Sequence, residues 1–166
     1  MNTPSMRNQY SMRIEWEPLG GVYVATVPEL PGCLTHGRSH LDALHQGRDA
    51  IESWIDAKRS WRRPIPGPRV GPRWVPPFLR SDELTFLRSG EPIELDRYSL
   101  DIVWQPDDSV FLVIVRELLA CQATGETDDE AVIRGLDAVE RWIQTRNLQP
   151  IPRPKHYDLE MAKVPA

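Results

Sequence analysis

One segment of the sequence occurs twice, and this internal repeat constrains the fold more than any other feature. Residues 10–55 align without a gap with residues 98–143, and 18 of the 46 aligned positions are identical. A match of this length is not expected by chance. We therefore interpret the chain as two copies of one small module: module one (residues 1–66), a Pro- and Arg-rich linker (67–97), module two (98–154) and a tail (155–166). Residues 81–88 of the linker, followed by Gly90, are compatible with a short helix.

Both modules have the same order of predicted elements. Alternating apolar residues over 10–16 predict a half-buried strand, and residues 22–27 predict a second strand that pairs with it as a hairpin. A short third strand is expected next. Ser39 and Thr127, each followed three positions later by an acidic residue, then resemble capping boxes at the start of a helix.

A Pro-Ile-Pro sequence follows each helix and is interpreted as a short final edge strand. The predicted fold class is α+β, with two tandem β-β-β-α-β modules. Each module is a small, mainly antiparallel sheet with one helix packed on one face. Two copies can shield each other's open sheet edges, so we expect a pseudo-twofold pair that imitates a homodimer.

A glycine recurs in the middle of both predicted helices, at Gly47 and Gly135. Glycine in a helix interior costs about 1 kcal/mol relative to alanine. Its recurrence predicts that the helix backbone packs closely against the sheet at this point.

Composition limits the class of protein. The net charge is -4, apolar residues make up 40% and charged residues 27%, which is ordinary for a globular chain. No apolar run approaches the length of a membrane span, and the polar N-terminus does not resemble a signal peptide. Two cysteines cannot form a disulfide framework. We expect a cytoplasmic protein with no membrane association, and the mild acidity argues against nucleic-acid binding over the whole surface.

Residues 21–37 of module one read G-V-Y-V-A-T-V-P-E-L-P-G-C-L-T-H-G, and the similarity continues along the helix to Trp54. This segment resembles the N-terminal domain of the HicB antitoxins. The resemblance implies a partial ribonuclease-H-like β-β-β-α-β sheet. It also implies an antitoxin that binds a small HicA-type ribonuclease and covers its catalytic histidine. Module two has R-E-L-L-A-C at 116–121, so it lacks the proline and glycine of the motif.

Many HicB proteins carry a C-terminal helix-turn-helix or ribbon-helix-helix that binds the operator. Only 14 residues follow Pro152, too few for such a helix, which argues against operator binding. Residues 98–166 carry 7 basic and 12 acidic side chains, so the second half would attract a small basic HicA-like toxin. A charge that only keeps the chain in solution explains the same excess. Self-association of the chain is left open. The predicted partner-binding residues are Pro28, Glu29, Leu30, Pro31, Gly32, Cys33, His36, Asp128, Asp129 and Glu130.

Two alternatives are a HicB-like protein with another partner and a nucleic-acid-binding module. The second rests on residues 58–80, which contain no acid but several basic residues with Trp61 and Trp74 among them. Cationic and aromatic side chains together can bind single-stranded nucleic acid. A linker whose tryptophans dock on the core explains the same pattern. The nucleic-acid-binding candidates are Arg62, Arg63, Arg69 and Arg73.

No catalytic constellation, metal site or cofactor site is predicted. A nuclease of ribonuclease-H type needs several acids that converge on metal ions. The acids that recur in both modules lie on the helices, as expected for solvated helix faces. The histidines lack a complete ligand set, and the recurring cysteines suit small buried positions. The candidate catalytic or metal-binding residues were Asp49, Glu52, Asp137, Glu140, His36, His40, His45, Cys33 and Cys121.

Overall fold

The structure, a computed structural model, describes residues 4–69, 76–146 and 149–158. Three strands and a helix occur in each module, in the order that the repeat predicts. In module one they are β1 (Met12–Glu17), β2 (Val22–Thr26), β3 (Leu34–Gly37) and α1 (His40–Ser60). In module two they are β4 (Leu100–Gln105), β5 (Val110–Val115), β6 (Gln122–Gly125) and α2 (Asp128–Gln144).

The six strands form one antiparallel sheet in the order β3-β2-β1-β4-β5-β6. The modules meet where β1 pairs with β4, and this seam places Arg13 opposite Asp101. These two residues occupy the same position in the two repeats, so the pseudo-twofold axis passes between them. The strand pairing confirms the predicted α+β class and the predicted pairing of the modules.

Both helices lie on the same face of the sheet. Each begins at its predicted cap: the Ser39 hydroxyl accepts from the Asp42 backbone N–H at 3.0 Å, and the Thr127 hydroxyl accepts from the Glu130 N–H at 3.1 Å. These bonds satisfy N–H groups that lack partners within the helix. One apolar core runs beneath both helices and across the seam, with Ile14, Leu44, Ile55, Leu100, Trp104 and Val139 among its most deeply buried side chains.

The recurring helix glycines sit where the helices approach the sheet most closely. A Cβ atom at Gly47 would lie 2.5 Å from the Met12 methyl group, and one at Gly135 would lie 2.7 Å from a Val113 methyl group. Real Cβ atoms do not approach other atoms so closely. The expectation that the backbone packs tightly here is confirmed.

The segments after the helices differ from the prediction in detail. Neither Pro-Ile-Pro sequence forms a regular strand, because proline lacks the N–H that a strand ladder needs. The described residues of these segments form two isolated bridges, between Phe86 and Pro152 and between Trp16 and His156. The linker helix expected over residues 81–88 is a single 3₁₀ turn, Ser81–Glu83. Among the described residues, no helix is both long and apolar enough to span a bilayer.

Candidate protein-interaction surface

A buried carboxylate supports the predicted contact turn of module one (residues 28–33). The Glu29 carboxylate accepts hydrogen bonds from the Ser11 backbone N–H at 2.8 Å and from the Ser11 hydroxyl. It also accepts from the Arg69 backbone N–H at 2.9 Å. Glu29 therefore ties the turn to the start of β1 and to the segment that follows α1.

Backbone hydrogen bonds close the turn itself. Leu30 N–H donates to the Val27 carbonyl at 3.1 Å, and Cys33 N–H donates to the Leu30 carbonyl at 2.9 Å. The indole N–H of Trp54, on α1, donates to the Pro31 carbonyl at 3.0 Å and fixes the outer side of the turn. Half of the motif is thus structural, and solvent reaches the other half. Pro28, Pro31 and Gly32 are exposed, whereas Glu29, Leu30 and Cys33 are buried.

Burial raises the pKa of the Cys33 thiol to about 11, so this thiol stays protonated at neutral pH. Burial also raises the pKa of Cys121, at the equivalent position, to about 11. Both cysteines are free. The structure places them where the turn meets the sheet, which agrees with a packing role.

The edge of module one combines an exposed strand with apolar side chains. Among the described residues, strand β3 pairs with β2 alone, so its outer edge has no strand partner within them. Leu34, 52% exposed, and His36 project from the face opposite the helices. Beside them lies a groove of about 360 Å³ lined by Val22, Val24 and Tyr157 among others. This surface offers an unpaired strand edge together with an apolar surface, and we call it the β3 edge.

The predicted acidic contacts of module two lie at the N-terminus of α2, against α1. Arg48 donates from Nε to Asp128 at 2.7 Å and from Nη2 to Asp129 at 3.1 Å. His45 lies 2.8 Å from Asp129. Burial raises the pKa of Asp129, but the bonds from His45 and Arg48 outweigh burial and leave that pKa below its ordinary value. Glu130, in the first turn of α2, is half-buried.

These acids and the contact turn do not form one cluster. Within residues 4–69, 76–146 and 149–158, no hydrogen bond or ion pair joins the acids to residues 28–33. Asp128 and Asp129 instead hold the two helices together across the modules. Their use in partner binding stays a prediction.

The pseudo-symmetry equivalent of this helix contact is an open cleft of about 470 Å³ that sequence reasoning missed. Its wall contains His40, which is buried and hydrogen-bonded to the Tyr98 carbonyl at 3.0 Å. The Arg97 guanidinium lies 3.6 Å from the centre of the Trp16 ring, and it donates to the Tyr23 hydroxyl at 2.6 Å. Burial lowers the pKa of His40, so its ring is neutral at pH 7.

The nucleic-acid-binding candidates are only partly within the described residues. Arg62 and Arg63 follow the end of α1 and are exposed, next to exposed Trp61. Arg69 is exposed, and its backbone N–H is bonded to Glu29. Arg73 lies outside the described residues.

The acids and histidines weighed for catalysis do not converge. Asp49, Glu52, Asp137 and Glu140 are exposed on the helices. Among the described residues there is no group of three or more His, Cys, Asp or Glu side chains that could hold a metal ion. The expectation of a protein without catalytic activity stays a prediction.

Sequence reasoning also missed the ion pairs at the seam. Arg13 donates from Nε to the Asp101 carboxylate at 2.7 Å, and Arg116 reaches across to Glu15 at 3.2 Å. The sequence does place oppositely charged residues at the same repeat position, 13 and 101, and this could have suggested an ion pair between the modules. Only the register of β1 with β4 reveals that they meet.

The fold and this surface define a class: a tandem α+β protein in which the three strands of each module join edge to edge in one six-stranded sheet. The UPF0150 protein Ta0767 of Thermoplasma acidophilum is 39% identical to this chain over 46 residues, which cover 28% of this chain and 67% of the relative. The chain belongs to the UPF0150 family. No family model matches the sequence, and no solved structure matches it.

Proposed function

We propose that this chain is a HicB-like antitoxin-type protein that neutralises a small, basic HicA-type ribonuclease by covering its active site. The observation that carries the proposal is the β3 edge. An open strand edge can pair with a strand of a partner, and pockets for alternate side chains then supply specificity. The mechanism is occlusion, in which a folded surface keeps RNA away and the chain performs no catalysis.

The two edges of the sheet differ in a way that supports module one as the contact. Module two presents Gln122 and Thr124 at the positions of Leu34 and His36. Both replacements are polar, so the same surface at β6 lacks an apolar anchor. Exposed apolar side chains beside an apolar groove are typical of interaction sites.

The charge distribution supports a basic partner. Residues 98–166 carry five more acidic than basic side chains (12 against 7), whereas residues 1–66 carry one more basic than acidic (8 against 7). Such a field speeds the approach of a cationic protein and contributes less to the final affinity. The complex would form in the cytoplasm.

The test starts from the tagged full chain, purified from its native host with its bound proteins, which mass spectrometry identifies. We expect a small basic partner whose RNA cleavage stops when the chain is added. The double variant Leu34→Gln/His36→Thr, which gives β3 the residues of β6, should weaken this inhibition by roughly tenfold or more.

The matched control is Gln122→Ala/Thr124→Ala at the other edge, which should inhibit as the wild type does. Recovery of a partner without ribonuclease activity would contradict the antitoxin proposal and favour a HicB-like protein with another partner. Equal inhibition by the Leu34 variant and the control would instead place the contact elsewhere on the chain.

A further inference from the structure

A second exposed surface, independent of the β3 edge, lies at the C-terminal end of α1. Trp61 follows the last helical residue and is 66% exposed. Four cationic residues surround it in sequence, and residues 57–69 contain no acid. We call this surface the Trp61 patch: Lys58, Arg59, Trp61, Arg62 and Arg63.

The patch is shaped by the way the helix ends. Trp61 N–H donates to the Ala57 carbonyl at 3.1 Å, and Arg63 N–H donates to the Lys58 carbonyl at 2.8 Å. Arg62 lies between them with a φ of 53°, the left-handed conformation that glycine adopts most easily. Ending the helix does not need the Arg62 side chain, which points to a separate use for its charge.

No carboxylate in the described part of the chain neutralises the cations of the patch. Across residues 4–69, 76–146 and 149–158, none of the four forms an ion pair with a carboxylate. Lys58 Nζ instead lies 4.9 Å from the centre of the Trp54 ring and 5.8 Å from that of Trp61. Cations near a helix C-terminus interact favourably with its dipole, which accounts for Lys58 and Arg59. The dipole does not account for an exposed tryptophan or for Arg62 and Arg63 beyond the helix.

Module two provides a natural comparison. It keeps the equivalent of the Lys58–Trp54 contact, since the Arg146 guanidinium lies 4.2 Å from the centre of the Trp142 ring. The residue that follows the last helical residue is Trp61 in α1 and Thr145 in α2. The cation–aromatic contact at the helix end therefore belongs to the module fold, whereas the exposed tryptophan is specific to module one.

We propose that the Trp61 patch binds single-stranded nucleic acid. A base stacks on the exposed face of Trp61, and the guanidinium groups of Arg62 and Arg63 contact the flanking phosphates. Stacking on an aromatic ring combined with cationic contacts to the backbone is how sequence-tolerant single-strand binding is achieved. The proposal does not depend on the antitoxin function, because the patch and the β3 edge share no residue.

The test is fluorescence anisotropy with the full chain and a labelled oligouridylate of about 12 nucleotides. We expect binding that weakens as salt rises. Trp61→Gln, which removes the aromatic ring and leaves a polar side chain, should weaken binding by roughly tenfold. Arg62→Ala/Arg63→Ala should reduce the slope of log affinity against log salt by about 1.4, at about 0.7 per lost phosphate contact.

The matched control is Arg88→Ala/Arg141→Ala, which removes the same charge from exposed positions outside the patch and should leave the slope near the wild-type value. An oligothymidylate of equal length distinguishes RNA from DNA as the natural ligand. Equal affinity for a duplex, with no effect of Trp61→Gln, would reduce the patch to a general polyanion surface and overturn the proposal. Binding only to vesicles that contain an anionic lipid would overturn it as well.

Discussion

Modules one and two build the turn before their third strand from different residues and obtain the same hydrogen bonds. In module two, Leu118 N–H donates to the Val115 carbonyl at 3.1 Å and Cys121 N–H donates to the Leu118 carbonyl at 2.9 Å, as their counterparts do in module one. Ala120 takes the left-handed φ of 64° that Gly32 adopts at 80°. The turn is therefore held by the shared buried glutamate, leucine and cysteine, and it tolerates loss of the motif's proline and glycine.

The replacement of Pro28 by Arg116 has a structural consequence at the seam. Arg116 is buried and lies 3.2 Å from Glu15 and 3.8 Å from Asp101. The residue in module two that corresponds to Glu15 is the buried Val103. Charged residues thus meet on one side of the axis, and the corresponding pair on the other side, Pro28 and Val103, is apolar. The sequence differences between the two modules therefore make their surfaces complementary in charge at the seam.

The largest expected effect comes from the residues on the axis. Pairing of two copies of module one would place Arg13 against Arg13, and pairing of two copies of module two would place Asp101 against Asp101. Arg13→Asp imitates such like-charge pairing inside the chain. We expect a loss of about 3–5 kcal/mol in the free energy of unfolding, because the Asp101 side chain is only 6% exposed and would face a second carboxylate, with only the more distant Arg116 left as a cationic neighbour. Urea unfolding measures the change.

Arg134→Asp serves as the control for this seam variant, since it removes the exposed Arg134–Glu130 pair. Its cost should stay at about 1 kcal/mol or less. If Arg13→Asp were equally mild, the charge pair would not specify how the modules join.

A smaller difference is expected between the two helix glycines. Gly135→Ala should lose roughly 1–2 kcal/mol, because its Cβ would meet the branched side chain of Val113, which cannot move aside. Gly47→Ala should remain within about 1 kcal/mol of the wild type. Its Cβ would meet the flexible end of Met12, and alanine favours the helix by about 1 kcal/mol. Thermal and urea unfolding of both variants check the order, and a larger loss for Gly47→Ala would contradict it.

The smallest effect concerns His40, whose counterpart in module two is Asp128. Burial lowers the pKa of His40 in the folded chain below its ordinary value of 6.5. Below pH 6.5 the unfolded chain therefore binds a proton that the folded chain does not, and stability falls as the pH falls. In His40→Gln, the free energy of unfolding should fall less steeply between about pH 7.5 and 5.5. The difference in slope should correspond to at most about one bound proton.

The comparison with His40→Gln is needed because other buried groups act in the opposite direction. Burial raises the pKa values of the Glu15 and Glu117 carboxyl groups, so these groups favour the folded chain as the pH falls. Unfolding midpoints across the pH range measure the net slope for both proteins. The same slope in wild type and variant would show that His40 does not titrate differently in the two states.

Much of the fold could be predicted from local residue patterns. Patterns within a few residues predicted the hairpins and the helix caps at Ser39 and Thr127. Recurrence between the two copies predicted the repeat itself and the close packing at Gly47 and Gly135. The final strands and the linker helix were less well predicted. Their prolines and short length leave the backbone conformation to contacts with distant segments, such as the Tyr98 hydroxyl that donates to the Pro152 carbonyl at 2.7 Å.

The candidate site was predictable only in part for the same reason. The motif at residues 28–33 can be recognised in the sequence. Only the folded structure shows that Glu29 is buried and holds the turn in place, whereas Pro31 is exposed to solvent. The repeat established that two modules exist and that they are alike. How they join depends on which strand edges meet and in which register, and so the ion pair between Arg13 and Asp101, 88 positions apart, exists only in the assembled sheet.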